Sequence, residues 1–287
     1  MPFVIIGSPR TGSTHLTTLL HKQSDIICHG ELFHPKKEKI LGRWRGDGNA
    51  SQTIAELVIL RKENPSAFMQ RVFANNGRGA HVGFKIFEGH NEAILDELIA
   101  NTAVRKIVLF RRNMLAVYSS SRIAHQVGER VRRTARPTQP LVKFDPEKFV
   151  KYCRKYSAFY RLTIEKLGRA EQRFYLLHYD EINDPWLFAC LLDFIGAGSK
   201  DIDLRAASVK QNSSDILKRF SNPDVAEEFL RTRGLMEWTY EAEISLDPFP
   251  SGRGTTDAGK LSDVPENPST SGLEWQDSRC SIQKNPE

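Results

Sequence analysis

The chain of 287 residues has no apolar run of membrane-spanning length, which argues against an integral membrane protein. Its first apolar strand begins at Phe3. That leaves no room for a charged region, an apolar region and a cleavage site, so the expectation is a cytoplasmic protein whose mature form starts at Met1. Cysteine is scarce: Cys28, Cys153, Cys190 and Cys280 show no paired spacing, as suits a reducing compartment. There is no internal repeat and no alternation of aromatic and basic residues of the kind that stacks bases, so a nucleic-acid partner is not expected. Acidic residues are outnumbered, with a net charge of +6. The segment 247–287 holds seven acidic and four basic residues, which leaves the body at about +9. A basic body suits an anionic ligand: a nucleotide, an acidic glycan or a membrane surface.

Hydrophobic content of 40% is that of a globular protein. Its organising stretch is 3–20. Val4, Ile5 and Ile6 form a short apolar run stopped by Gly7; a polar turn reaches Gly12, and Leu16, Leu19 and Leu20 follow at helical spacing. Strand, glycine-bounded turn and helix present backbone N–H groups to an anion. Against the phosphate loop G-x-x-x-x-G-K-[ST], Gly7, Gly12 and Thr14 match, but Ser13 stands where the lysine should be. The nearest cation is Arg10, inside the turn. A phosphate site without that lysine argues against ordinary ATP or GTP chemistry.

Pro9-Arg10-Thr11-Gly12-Ser13-Thr14 resembles the P-[RK]-[ST]-G-[ST]-[ST] loop of sulfotransferases that use 3′-phosphoadenosine 5′-phosphosulfate (PAPS). In that family the loop holds the 5′-phosphosulfate, so the resemblance implies donor contacts from Arg10, Thr11, Gly12, Ser13 and Thr14.

The rest of the chain alternates strands and helices. Residues 25–29 read as a second strand, after which Glu31 is a candidate general base; the resemblance to the bacterial branch that includes nodulation-factor enzymes, where a glutamate often stands here, strengthens it. Cys28, His29, Glu31 and His34 cluster in sequence without the spacing of a zinc site, and no metal is expected. His81–Phe87 reads as a strand that places His90 beyond its carboxyl end, a second candidate base. Residues 104–110 form another strand, followed by Arg111 and Arg112 and a helix carrying Ser120. Arginine forks and a serine hydroxyl make a second anion site. Arg, seven residues, then Ser resembles the family's 3′-phosphate site, with Arg112 and Ser120 in those roles. His90 precedes Arg112 by twenty-two residues, the offset of the catalytic histidine in the eukaryotic cytosolic branch. Lys85 looks like the strand lysine before that histidine, at a different offset.

Asp145-Pro146 and Asp184-Pro185 are helix starts, and Phe174–His178 is a further strand. Tyr179 and the residues after it resemble the family's Y-[ED]-[ED]-[LI] element, which puts a tyrosine near the adenine. Lys210 resembles a late K-Q element near the nucleotide. Pro223 opens a last helix through Trp238 and Tyr240. Segments 35–51 and 121–144 read as loops, the latter basic and a candidate acceptor cover. Residues 247–287 are rich in Pro, Gly, Ser and Thr and read as a disordered tail behind a domain of residues 1–246.

The fold expected is a three-layer α/β/α domain with a mainly parallel sheet. The resemblance implies a PAPS-dependent sulfotransferase acting on a hydroxyl, with a glycan or glycolipid as the default acceptor. A kinase using ATP and magnesium, with Asp180 on the metal, and a catalytically silent nucleotide-binding protein are the alternatives.

Overall fold

The computed structural model describes residues 1–35, 54–74, 81–128, 140–198, 202, 204 and 212–241. These lie within the compact unit Met1–Leu246. Lys210, most of the 35–51 loop, residues 129–139 of the basic segment and the 247–287 tail fall outside the described residues.

A five-stranded parallel sheet forms the centre, in the order β2-β3-β1-β4-β5. The strands are β1 (Pro2–Gly7), β2 (Ile26–Cys28), β3 (His81–Phe87), β4 (Arg105–Phe110) and β5 (Phe174–His178). The continuous apolar run of β1 is explained by its central place. Phe3, Val4, Ile5 and Ile6 are fully buried, with β3 on one side and β4 on the other. Gly83 in β3 leaves room for the Phe3 ring: a Cβ there would meet it at 2.3 Å. Because every strand runs the same way, Gly7, Phe87, Phe110 and His178 end on one edge. The strand order reverses around β1, and an open α/β sheet binds its ligands at such a point.

The helices are α1 (Ser13–Lys22), α2 (Ile54–Glu63), α3 (Pro65–Ala74), α4 (Glu92–Ala100), α5 (Met114–Val127), α6 (Pro146–Arg169), α7 (Pro185–Ile195) and α8 (Pro223–Arg231). Their starts follow sequence signals. Asn91, Asn113, Asp145 and Asp184 each accept a hydrogen bond from a first-turn N–H. Tyrosines of α6 complete the end of β4. Tyr160 donates to the Leu109 carbonyl at 2.8 Å, and Tyr156 bridges the N–H and carbonyl of Arg111 at 3.0 and 3.1 Å.

Two boundaries differ from the sequence reading. Residues 121–127 continue α5, because Ile123 is buried and the helix ends only where Gly128 takes φ 66°. The last helix stops at Arg231; Gly234 turns at φ 67°, and Trp238 lies in a separate short 3-10 turn, Met236–Thr239.

Candidate active site

The loop after β1 is built for an anion. Gly12 caps α1 in a left-handed conformation (φ 82°) and supplies no side-chain cap, so the first N–H groups of the helix have no side-chain partner there. A Cβ on Gly12 would lie 2.5 Å from Tyr179, so glycine is required both for its φ and for this close approach. Arg10 also adopts a positive φ, 71°, costly for a residue with a side chain. Two bonds hold it. Its carbonyl accepts from Arg111 Nη1 at 2.9 Å, and its Nε donates to Ser120 Oγ at 2.8 Å. Thr11 folds its hydroxyl back onto the Ser8 carbonyl at 2.7 Å.

The two arginines after β4 diverge, as adjacent residues at a strand end must. Arg111 turns inward, is 7% exposed, lies 4.0 Å over the Tyr179 ring and forms a two-pronged pair with Glu241. Burial, the largest single influence, would lower its pKa; the hydrogen bonding and charge of Glu241 together with Tyr179 and Tyr156 leave it raised. Arg112 turns outward, with a half-exposed side chain facing Asp180 at 3.2 Å and Glu181 at 3.7 Å. Ser120 bonds to Arg10 and to Asn212 Nδ2, the latter at 3.1 Å, and no bond joins it to Arg112 among the described residues.

Lys85 supplies the charge that Ser13 lacks. It enters from β3, opposite Ile5, and is 4% exposed. Its Nζ lies 2.9 Å from Thr14 Oγ1, 3.3 Å from Ser13 Oγ and 3.7 Å from Glu31 Oε1. One buried ammonium therefore touches both the phosphate loop and the carboxylate beyond β2.

His90 adjoins the same carboxylate. Its Nε2 is 3.9 Å from Glu31 Oε2, and its Nδ1 accepts the Phe87 N–H at 3.2 Å. A nitrogen that accepts is unprotonated, so the neutral ring carries its proton on Nε2, facing Glu31. His34 lies beside His90 with ring centroids 5.0 Å apart and the planes tilted by 60°. Ligand atoms of Glu31, His34 and His90 lie within 4.8 Å of one another, a donor set that would nominally suit a divalent ion. The Nε2 proton of His90 and the nearby Lys85 charge oppose that use. Cys28, paired with this group by sequence, belongs to the core instead, and burial pushes its thiol up to about 12. Burial likewise lowers His29 to about 4.

The structure brings together the loop, Glu31, His90 and Ser120, all singled out from the sequence. Sequence reasoning gave Arg111, Lys85 and Asn212 no firm role. The double arginine was the signal for Arg111, and the absent loop lysine was the signal for Lys85.

A family profile described as Sulfotransferase family matches residues 2–186. Nodulation protein H of Rhizobium tropici is 25% identical over 227 residues, spanning 77% of this chain and 86% of that protein. Nodulation protein H of Rhizobium meliloti (strain 1021) is 24% identical over 209 residues, spanning 68% and 77%. A sulfotransferase structure from Alicyclobacillus acidocaldarius aligns with 83% of this chain and 94% of its own, at 14% identity and a TM-score of 0.42. With its match running through the phosphate loop, both candidate bases and the arginine pair, the chain belongs to the sulfotransferase family.

Proposed function

We propose that the protein transfers a sulfuryl group from PAPS to a hydroxyl of a carbohydrate or glycolipid by in-line displacement. The observation that carries this reading is Lys85, whose ammonium joins Ser13 and Thr14 of the phosphate loop to Glu31. It stands where the bond to sulfur would break on one side and form on the other. In the reaction, the acceptor oxygen attacks sulfur, its proton passes to a base, and the bond from sulfur to the 5′-phosphate oxygen breaks. Arg10, Lys85 and the N–H groups of 11–14 stabilise the charge gathering on the departing phosphate.

The hydrogen bond from Phe87 N–H to His90 Nδ1 favours Glu31 as the base. Neutral His90 has its proton at the nitrogen facing the site. It orients the carboxylate and cannot itself accept there. Ser120 and Arg112 would hold the 3′-phosphate, which must draw Arg112 from Asp180 and Glu181. Tyr179, packed on Gly12, would border the nucleoside. No metal is required, since side chains supply the positive charge. Asp180, the residue a kinase would place on magnesium, is engaged with Arg112. The glycan acceptor rests on the resemblance to the nodulation-factor branch and on the two nodulation proteins found as relatives. No described helix is long and apolar enough to cross a membrane.

The test is a thermal-shift comparison of 3′,5′-adenosine bisphosphate with ATP and magnesium, each repeated in EDTA. Ligand that binds the native state raises the melting temperature by mass action. A metal-independent shift from the bisphosphate, followed by label transfer from PAPS to a hydroxylated oligosaccharide, is expected. A shift with ATP and magnesium alone would replace this reading with the kinase.

A further inference from the structure

Beside the catalytic edge, α5 and α6 enclose a groove of about 300 Å³. One wall is Tyr118, Arg122 and His125 of α5; the other is Lys148, Lys151, Tyr152 and Lys155 of α6. On each helix these residues recur at steps of three and four, which is the spacing of a single face. Facing stripes of two packed helices are ordinarily apolar. Here only the floor is: the Tyr118 and Tyr152 rings meet edge to face, 5.6 Å apart. Above it both walls present cations, and among the described residues no carboxylate lines the groove. Asp145 and Glu88 pair with Lys148 at 2.9 Å and Lys155 at 3.6 Å from outside it. Arg122, Lys151 and His125 line it with no acid among the lining residues. Like charges brought together on two helix faces cost stability unless an anion joins them.

The groove lies beside the site. Tyr152 stacks on Tyr156, whose hydroxyl bridges the backbone of Arg111. Lys155 reaches Glu88, two residues before His90.

We infer that this groove binds an acidic segment of the acceptor, an oligosaccharide carrying carboxylate or sulfate groups, and so extends the acceptor site. This rests on the sulfotransferase reading and deepens it. Concavity favours a narrow polyanion such as an oligosaccharide, whose acidic groups can meet both walls at once. A flat lipid surface would meet neither.

The probe is a fluorescent oligogalacturonate tetrasaccharide followed by anisotropy, with chitotetraose as the neutral control. Wild-type protein is compared with R122E/K151E and with the milder R122Q/K151Q. Binding of 3′,5′-adenosine bisphosphate is measured on all three. The acidic probe should bind, weaken as salt rises, and lose affinity about tenfold in R122E/K151E, with a smaller loss in R122Q/K151Q. Bisphosphate affinity should stay the same, which also verifies folding. Equal affinity for the neutral probe, an unchanged affinity in both variants, or binding of phosphatidylserine vesicles in place of the saccharide overturns the inference. Failure of bisphosphate binding in the wild type overturns the sulfotransferase reading instead.

Discussion

Arg10 Nε donates to Ser120 Oγ at 2.8 Å across 110 residues of sequence, tying the phosphate loop to the second turn of α5. The 5′- and 3′-phosphate candidates are thus one connected unit. The hydroxyl also takes a bond from Asn212, so it fixes the loop arginine and a C-terminal segment together. Ser120→Ala should weaken 3′,5′-adenosine bisphosphate binding about tenfold, since a hydrogen bond involving a charged group contributes ~1.5–3 kcal/mol. Calorimetric titration checks this; an unchanged affinity would remove Ser120 from the donor site.

Lys85 is a stronger test of mechanism. Lys85→Met should lower kcat by about a hundredfold, the effect of losing one preorganised donor at a developing charge. Lys85→Arg should not restore it. The position is buried in β3, and a planar fork cannot reproduce a point charge shared by Ser13, Thr14 and Glu31. Single-turnover transfer from PAPS reads the chemical step directly. Full activity in Lys85→Met would mean that the ammonium is merely structural.

The tautomer of His90 separates the two candidate bases. Glu31→Gln should lower kcat by ~10²–10⁴. His90→Gln should lose far less, because its amide N–H can still face the carboxylate. If His90→Gln is as inactive as Glu31→Gln, the histidine takes the proton after all.

Glu241 carries the buried charge of Arg111 and, through it, the strained Arg10 carbonyl. Breaking a buried pair by removing one partner costs ~3–5 kcal/mol. Glu241→Gln should therefore lower the melting temperature by several degrees and weaken bisphosphate binding as the loop relaxes. Urea unfolding and titration together check it. Loss of stability with unchanged binding would show that the loop keeps its shape without this support.

Much of this architecture was legible beforehand, and the reason is local. The β1 run, the two glycines of the turn and the Asp-Pro helix starts are each specified by neighbouring residues, and each stands where expected. What was not legible depends on register and packing. Lys85 reaches Ser13 because β3 pairs with β1 so that it lies opposite Ile5, a fact absent from either segment alone. Arg111 and Arg112 are alike in sequence, yet one is buried under Glu241 and the other half-exposed beside Asp180. The run Cys28, His29, Glu31 and His34, from which no metal was expected, separates for the same reason. Cys28 ends the short strand β2 within the core, while His90 arrives from β3 to join Glu31 and His34.

Lys106 offers a test of the core itself. It is fully buried in β4, and its Nζ donates to the Asn101 carbonyl and to Gln172 Oε1, both at 2.5 Å. Burial lowers its pKa from 10.5 to about 8, with Arg105 adding repulsion. The folded state thus releases this proton more readily than the unfolded chain. Below about pH 8 both states are protonated and the folded state carries the cost of a buried charge. Between about 8 and 10.5 the unfolded chain holds the extra proton, so stability rises with pH. Lys106→Met removes this contribution. The stability of Lys106→Met relative to wild type should therefore fall from pH 7 to pH 10, by up to ~3 kcal/mol at ~1.4 kcal/mol per pH unit. Other groups titrate alike in both proteins and cancel in the difference. Urea midpoints at the two pH values measure it, and a difference independent of pH would mean that Lys106 keeps its proton throughout.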